Sequence, residues 1–285
     1  MKNTTERNRR KFWAKQLDEA YEFMLRVMEH PVVESYEKFV SLKKAVSGTV
    51  IEVVFSSKQH VLGLPRLFVL RQGLVKNFCK AAEKMNQHGW IMRIEDAFRN
   101  KIMQKYLGRL PDVFDKIMQK ILWELNGKVP TPEFVFKRIM TLIAQIPKTG
   151  THMSGSALDI SVVDRKTNME IDRGAPYLEM SERTPMESPF ISVEAKRNRE
   201  KIMEIMIEAG FVHYPYEFWH FNSGDAYEMV LREKSVPARY GAVDWEQQSG
   251  IIKPIEKPEK PLNKVGEIKA EIQKSLERLK DKIRD

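Results

Sequence analysis

Two segments of the chain repeat apolar residues at the three- and four-residue spacing of an amphipathic helix. They cover residues 12–28 and 74–85. The second segment runs into Gly89, after which residues 91–94 show the shorter apolar pattern of a strand. The pattern therefore predicts a helix near the start of the chain, and a helix followed by a strand near residue 90.

Helical spacing also covers residues 111–126 and 131–146. The second of these segments opens with Thr131 and Pro132, which suit a helix cap and a first helical turn. Helices segregated from short strands in this way are typical of an α+β fold with a small, mainly antiparallel sheet and flanking helices. The later segments predict a strand over 157–163, a helix over 198–209, and two strands over 211–214 and 218–221.

Beyond residue 250 the composition changes. Residues 251–262 place prolines among lysines and glutamates, a pattern typical of a semi-rigid linker. Residues 263–285 are predicted to form a separate helix. Its apolar residues Val265, Ile268, Ile272, Leu276, Leu279 and Ile283 form one seam, which must pack on the body of the protein or on another chain. A homo-oligomer joined through this helix is therefore one expectation. The predicted organisation is a helical N-terminal region at 1–64, a catalytic domain at 65–250, the linker and the C-terminal helix.

Charge and cysteine content narrow the function. The 48 Lys and Arg exceed the 39 Asp and Glu, but most of the excess lies in residues 1–16 and 253–285. Because nucleic-acid-binding proteins concentrate basic residues on the working domain, we expect no nucleic-acid partner. With no apolar run of membrane-span or signal-peptide length, we expect no membrane span and a cytoplasmic location. Cys79 is the only cysteine, so any metal must be held by histidines and carboxylates.

Two short segments concentrate the side chains that could carry chemistry. In residues 151–159 a histidine in a glycine-containing turn precedes an aspartate that enters an apolar strand. In residues 214–221 a glutamate and a histidine lie among aromatic residues. Two histidines and an aspartate form a zinc ligand set that leaves a position for water, and a nearby glutamate can accept the water's proton. The candidate ligands are His152, Asp159 and His220, and the candidate base is Glu217.

Each segment alone also has a structural interpretation. A histidine beside a glycine is usually a turn or surface residue, and a glutamate flanked by aromatics is usually solvated. The residue types and their spacing therefore leave both interpretations open.

Together the two segments resemble the signatures of the D-alanyl-D-alanine dipeptidase family, zinc metallopeptidases associated with vancomycin resistance and peptidoglycan turnover. The second segment resembles the motif Glu-Trp-Trp-His, with Phe218 at the first Trp. Shorter similarities lie at residues 71–73, 96–99, 198–199, 209–211 and 238–241, so the resemblance spans residues 65–245. The first segment resembles Ser-x-His-x-x-Gly-x-Ala-x-Asp, and its matching residues are His152, Gly155, Ala157 and Asp159.

The resemblance implies a peptidase with one Zn²⁺ per chain, held by His152, Asp159 and His220. It also implies that Glu217 is the general base, which later protonates the leaving amine. Arg99 matches the family arginine that steadies the oxyanion, a role that suits a fixed guanidinium.

Two departures from the family pattern concern the substrate's free ammonium group. Gly150 stands where the family has a serine, and Leu178 stands where it has an aspartate. Glu179 is adjacent, but neighbouring side chains of an extended segment point to opposite faces. We therefore expect N-blocked or longer peptides to be cleaved at least as well as a free dipeptide. The candidate substrate-binding residues are Gly150, Leu178, Glu179 and Trp219.

Three functions follow from these features. The first is a zinc-dependent peptidase that hydrolyses D-Ala-D-Ala or a related, D-Ala-terminated cell-wall peptide. The second is a D,D- or L,D-carboxypeptidase that acts on longer or N-blocked peptidoglycan stem peptides. The third, from another class, is a non-catalytic protein that holds a metal on the same fold. The presence of Glu217 argues against the third function, because a binding protein needs no base beside the metal.

Overall fold

The computed structural model describes residues 2–284, apart from the side chains of residues 2–4, 265 and 281–284. The helices are α1 (Lys2–Glu29), α2 (Leu42–Val46), α3 (Gln72–Gln87), α4 (Lys101–Leu107), α5 (Pro111–Glu124), α6 (Pro132–Ile143), α7 (Thr151–Ser154), α8 (Val193–Glu208), α9 (Ala226–Leu231) and α10 (Val265–Arg284). The strands are β1 (Phe39–Ser41), β2 (Val53–Phe55), β3 (Val69–Arg71), β4 (Trp90–Asp96), β5 (Ala157–Asp164), β6 (Val212–His213), β7 (His220–Asn222), β8 (Val243–Trp245) and β9 (Ile252–Pro254).

A five-stranded sheet in the order β2-β4-β5-β7-β6 forms the centre of the fold. Strand β2 is parallel to β4, and the other neighbours in this sheet are antiparallel. Two small antiparallel pairs, β1 with β3 and β8 with β9, lie outside it. The predicted α+β class with a small, mainly antiparallel sheet and flanking helices is confirmed.

Helix α3 illustrates how the apolar pattern becomes a core. Leu74, Phe78 and Met85 recur at helical spacing, and all three are buried in the largest cluster. Helix α8 contributes Ile202 and Met206 to the same cluster, which also contains the inward side chains of β4 and β5. The main core therefore lies where these two helices pack on the sheet.

Two helix ends differ from the prediction. Helix α6 begins as expected, with the Thr131 side chain accepting a hydrogen bond from the Phe134 N–H, but it stops at Ile143 because Ala144 adopts a left-handed conformation with φ of 51°. Helix α8 begins at Val193, before the predicted start at residue 198, because the Ser192 hydroxyl caps it. Local capping chemistry, rather than apolar spacing, determines both ends.

The N-terminal helix α1 packs against α5, α6 and α9. Its residues Phe23, Met24 and Val27 are buried in a second cluster with Tyr214 and Tyr227. Residues 39–41 and 53–55, which also belong to the predicted N-terminal region, form β1 and β2, and β2 joins the central sheet. The division of the chain at residue 64 stays a prediction, but packing connects the two parts closely.

The C-terminal helix α10 packs on the body of the protein, against α5 and α6. The seam residues Ile268, Ile272 and Leu279 are buried there, while the seam residues Val265 and Ile283 have side chains outside the described set. The Arg278 guanidinium also binds the Asp115 carboxylate at 2.7 Å. Of the two expectations for this seam, the structure shows packing within the chain.

The proline-containing segment before α10 is also attached to the body. Strand β9 pairs with β8, and the Pro258 carbonyl accepts a hydrogen bond from the Lys148 N–H. The Leu262 N–H donates to the Gln145 carbonyl. Within the described residues, no helix is both long and apolar enough to cross a membrane.

The buried seam leads to a stability prediction. We expect Ile268→Ala to lower the free energy of unfolding by about 2 to 5 kcal/mol, because it opens a cavity between α10 and the two helices beneath it. Urea denaturation followed by circular dichroism measures this change. Lys269→Ala, one residue along on the exposed face, is the matched control and should change it little. Equal stability of the two variants would mean that α10 does not pack as described.

Candidate metal centre and substrate cavity

The three candidate ligands lie on neighbouring elements. Asp159 on β5 and His220 on β7 are direct partners in the antiparallel register, so their side chains share one face of the sheet. His152 lies on the single turn α7, immediately before β5. The strand register therefore brings together residues that are far apart in sequence.

The turn between α7 and β5 requires glycine. Gly155 has a φ of 72°, a left-handed conformation that other residues adopt at a cost. A Cβ at this position would lie 2.1 Å from the Phe39 ring. The geometry of the motif thus has a local cause, because this glycine lets the chain reverse directly after His152.

The three side chains converge on one carboxylate oxygen. His152 Nε2 lies 3.1 Å from Asp159 Oδ1, and His220 Nδ1 lies 2.9 Å from the same atom. One ligand atom from each residue lies within 4.8 Å of the others. All three residues are buried. Two imidazoles and one carboxylate at this spacing are the donor set that Zn²⁺ accepts, so the residues fit a metal ion.

The other nitrogen of each imidazole also has a partner. His152 Nδ1 lies 2.5 Å from the Ala97 carbonyl, and His220 Nε2 lies 3.0 Å from the Thr151 hydroxyl. Such contacts fix the ring orientation. Because a carbonyl only accepts, the Ala97 contact also places a proton on His152 Nδ1. Thr151 was not among the predicted site residues, and its only signal in the sequence is its position next to His152.

The second oxygen of Asp159 has a separate pair of partners. Oδ2 accepts hydrogen bonds at 2.9 Å from Arg99 Nη2 and at 2.9 Å from the Tyr177 hydroxyl. Burial opposes ionisation, but His152, His220 and Arg99 hold the pKa of Asp159 well below its usual range. The carboxylate is therefore charged and held from both sides.

Arg99 is itself fixed by an aspartate at the end of β4. Its Nε donates to Asp96 Oδ2 at 2.7 Å, and Arg66 Nη1 and His60 Nε2 approach the same oxygen at 3.0 and 3.4 Å. Burial opposes the charge on Asp96, but Arg99, His60 and Arg66 keep its pKa far below the usual range. His60 and Arg66 were missed by sequence reasoning because they carry no motif.

Glu217 and the predicted substrate-binding residues line one cavity with this cluster. The cavity has about 870 Å³ of empty space, a volume that includes space open to solvent. Burial and the nearby Asp159 carboxylate raise the pKa of Glu217 well above its usual range, whereas Arg99 opposes this shift. The predicted residues in the lining are Arg99, Gly150, Leu178, Glu179, Glu217 and Trp219, together with the three candidate ligands.

The segment that contains Leu178 and Glu179 corrects one expectation. Leu178 has a φ of 62° in a turn, so the backbone is not extended and the two neighbouring side chains do not face opposite ways. Both line the cavity. Glu179 accepts hydrogen bonds from the Ser181 hydroxyl at 2.5 Å and from Arg183 Nη2 at 2.7 Å. Its carboxylate is therefore already paired within the chain.

Comparison with curated proteins identifies relatives that carry the same name. The chain is 28% identical over 180 residues to the D-alanyl-D-alanine dipeptidase of Synechocystis sp. (strain ATCC 27184 / PCC 6803 / Kazusa), covering 55% of this chain and 70% of the relative. It is 32% identical over 103 residues to the D-alanyl-D-alanine dipeptidase of Escherichia coli (strain K12), covering 36% of this chain and 47% of the relative.

Two solved structures align with lower similarity. A vancomycin resistance D,D-pentapeptidase, VanY, in complex with Zn(II), aligns with a TM-score of 0.36 and 13% identity, covering 65% of this chain and 88% of that one. The LD-carboxypeptidase LdcB aligns with a TM-score of 0.34 and 15% identity, covering 65% and 73%.

A family model gives the broadest match. The model described as D-ala-D-ala dipeptidase matches residues 36–241, a range that contains the three candidate ligands, Arg99 and Glu217. The family resemblance carried by the two motifs is thus confirmed over most of the chain. This chain belongs to the D-ala-D-ala dipeptidase family of peptidases.

Proposed function

We propose that this chain is a zinc-dependent peptidase that hydrolyses D-Ala-D-Ala or a related cell-wall peptide. The observation that supports it most is the buried cluster of His152, Asp159 and His220, which shares its cavity with Glu217. The relatives from Synechocystis and Escherichia coli, both named D-alanyl-D-alanine dipeptidase, support the substrate class. The family membership of residues 36–241 supports peptide hydrolysis as the reaction.

In this proposal His152, Asp159 and His220 hold one zinc ion per chain. Zinc held there would supply Lewis acidity towards water and the scissile carbonyl. The Ala97 carbonyl and the Thr151 hydroxyl keep the two imidazole rings oriented. Arg99 and Tyr177 hold the carboxylate of Asp159 from the side away from the imidazoles.

Glu217 is the proposed general base. Its carboxylate accepts the proton of the attacking water and later delivers it to the leaving amine, which a single carboxyl group can do in sequence. Burial supports this role, because a desolvated carboxylate holds a transferred proton more readily than a solvated one.

Arg99 is the proposed oxyanion partner. Its Nε and Nη2 are bound to Asp96 and Asp159, and within the described residues no hydrogen bond is recorded for Nη1. The side chain lines the cavity. A guanidinium fixed in this way presents positive charge to the developing oxyanion without having to reorganise.

The alternative of a D,D- or L,D-carboxypeptidase on longer or N-blocked peptides has its own support. Asp159 is fully engaged, Glu179 is paired with Arg183, and Glu217 is assigned to proton transfer. These are the carboxylates in the lining, so among the described residues Glu217, the proposed base, is the lining acid without an ion-pair partner for a free ammonium group to meet. The third function, a non-catalytic metal-holding protein, would leave the buried Glu217 in the same cavity without a role.

The ligand assignment predicts the metal content of variants. We expect one zinc per wild-type chain, and we expect His152→Ala or His220→Ala to lose it, because each removes one of three protein ligands. Mass spectrometry of the metal after dialysis measures the content. His88→Ala, on the exposed surface, is the control and should keep its zinc. Full retention in either ligand variant would show that these histidines are not ligands.

The proton-transfer role predicts a different phenotype for Glu217. We expect Glu217→Gln to keep its zinc but to lose activity by orders of magnitude, because an amide of the same shape cannot accept the water's proton. Steady-state hydrolysis of a D-Ala-terminated peptide and zinc analysis measure the two effects. Glu179→Gln, the same chemical change in the same cavity, should cost far less. Loss of zinc with unchanged activity at saturating metal would instead identify Glu217 as a ligand.

The paired acids of the cavity predict a substrate preference. We expect N-acetyl-D-Ala-D-Ala to be hydrolysed at least as well as free D-Ala-D-Ala, because charge-assisted contacts to an ammonium group, each worth about 1.5 to 3 kcal/mol, are missing. Mass spectrometry of the released D-Ala gives kcat/KM for both. The double variant Gly150→Ser with Leu178→Asp should shift the preference towards the free dipeptide. Efficient cleavage of the free dipeptide with rejection of the acetylated one would contradict the prediction.

A further inference from the structure

A surface groove continues outward from the catalytic cavity. We define the outer groove by the residues that line it: Lys116, Gln119, Lys120, Trp123 and Pro176–Met180. Four of these residues, Lys116, Leu178, Glu179 and Met180, also line the catalytic cavity. The two spaces are therefore adjacent parts of one cleft.

Tyr177 connects the outer groove to the catalytic centre directly. The residue lines the groove, and its hydroxyl donates a hydrogen bond to Asp159 Oδ2 at 2.9 Å. One side chain thus contacts both a candidate metal ligand and the groove. A peptide bound at the catalytic residues can therefore extend its next residue into the outer groove.

Most of the charged side chains along this cleft have an ion-pair partner, but one does not. Glu179 is bound to Arg183, Arg99 is bound to Asp96 and Asp159, and Lys120 is bound to Glu182 at 3.0 Å. In the part of the chain that the structure describes, no hydrogen bond or ion pair is recorded for the Lys116 ammonium. Lys116 is therefore an unpaired cation where the cavity meets the groove.

The surroundings of Lys116 favour an anion. Asp115, the next residue, is bound to Arg278 and to the Ser275 hydroxyl. The Lys120 ammonium, one turn along α5, lies over the Trp123 ring at 4.1 Å from its centroid, and its partner Glu182 is shared with Arg9, so this wall carries two cations for one carboxylate. An anionic group here would gain a charge-assisted hydrogen bond, whereas a second cation would be repelled.

We propose that Lys116 and the outer groove form a subsite for a carboxylate of the peptide substrate. This inference rests on the proposed function and specifies its substrate class as peptides that extend beyond a dipeptide and carry an acidic group. The carboxylate belongs either to an acidic side chain or to the peptide's C-terminus. The ammonium of Lys116 recognises either source by the same contact.

Four peptides test the subsite on the zinc-loaded, full-length protein. They are N-acetyl-Glu-D-Ala-D-Ala, the same peptide with Gln for Glu, and the C-terminal amides of both. Two ratios of kcat/KM are compared: the Glu peptide over the Gln peptide, and the C-terminal acid over the C-terminal amide. We expect Lys116→Gln to reduce one of these two ratios roughly threefold to tenfold, the range for a partly exposed charge pair. A change in the Glu/Gln ratio identifies a side-chain carboxylate, and a change in the acid/amide ratio at the C-terminus identifies the terminal one.

Two further variants make the test specific. Lys116→Glu should reduce the same ratio more than Lys116→Gln, since it replaces attraction by repulsion. Lys76→Gln removes an exposed lysine on α3 that lines neither the cavity nor the groove, so it should keep the wild-type ratios. If Lys116→Gln and Lys116→Glu also keep both ratios, the subsite does not exist.

Calorimetric binding of the same peptides separates this inference from the proposed function. Binding that depends on Lys116 without any cleavage would refute peptide hydrolysis and support the subsite. Cleavage with ratios that are independent of Lys116 would support hydrolysis and overturn the subsite. Neither binding nor cleavage of any of the four peptides would overturn both.

Discussion

The buried carboxylate of Asp159 is the interaction on which the rest of the site depends. Its Oδ1 faces His152 and His220, and its Oδ2 accepts hydrogen bonds from Arg99 and Tyr177. Removing a charge from water is costly unless partners occupy its lone pairs. Since those partners come from four separate segments, the fold must bring all four to one point of the sheet.

That requirement explains features of the fold that otherwise look unrelated. The β5–β7 register places His220 opposite Asp159, and the left-handed Gly155 returns the chain to the sheet directly after His152. At the end of β4, Asp96 holds Arg99, while Arg66 and His60 hold Asp96. The charges therefore alternate through the buried network, and each is adjacent to an opposite charge or a hydrogen-bond donor.

Much of this arrangement was predictable from the sequence, for a physical reason. The candidate ligands and Glu217 occur in two short motifs, and the resemblance of these motifs to a known family distinguished a metal site from ordinary turn and surface residues. The turn at Leu178, the pairing of Glu179 with Arg183, and the burial of the α10 seam against α5 and α6 depend on tertiary contacts. Such contacts leave no periodic signal, and the extended geometry assumed for residue 178 was wrong because its φ is positive.

The cavity also depends on residues outside the range that the family model matches. Met24 on α1 lines it, and the Met24 sulfur lies 3.0 Å from the Tyr227 hydroxyl, which donates to the Thr149 carbonyl at 2.7 Å. Thr149 lies two residues before Thr151, the partner of His220. A contact made by the N-terminal helix therefore reaches the segment that carries the candidate ligand His152. The part of the chain that forms the cavity therefore includes the N-terminal helix as well as the segment that carries the motifs.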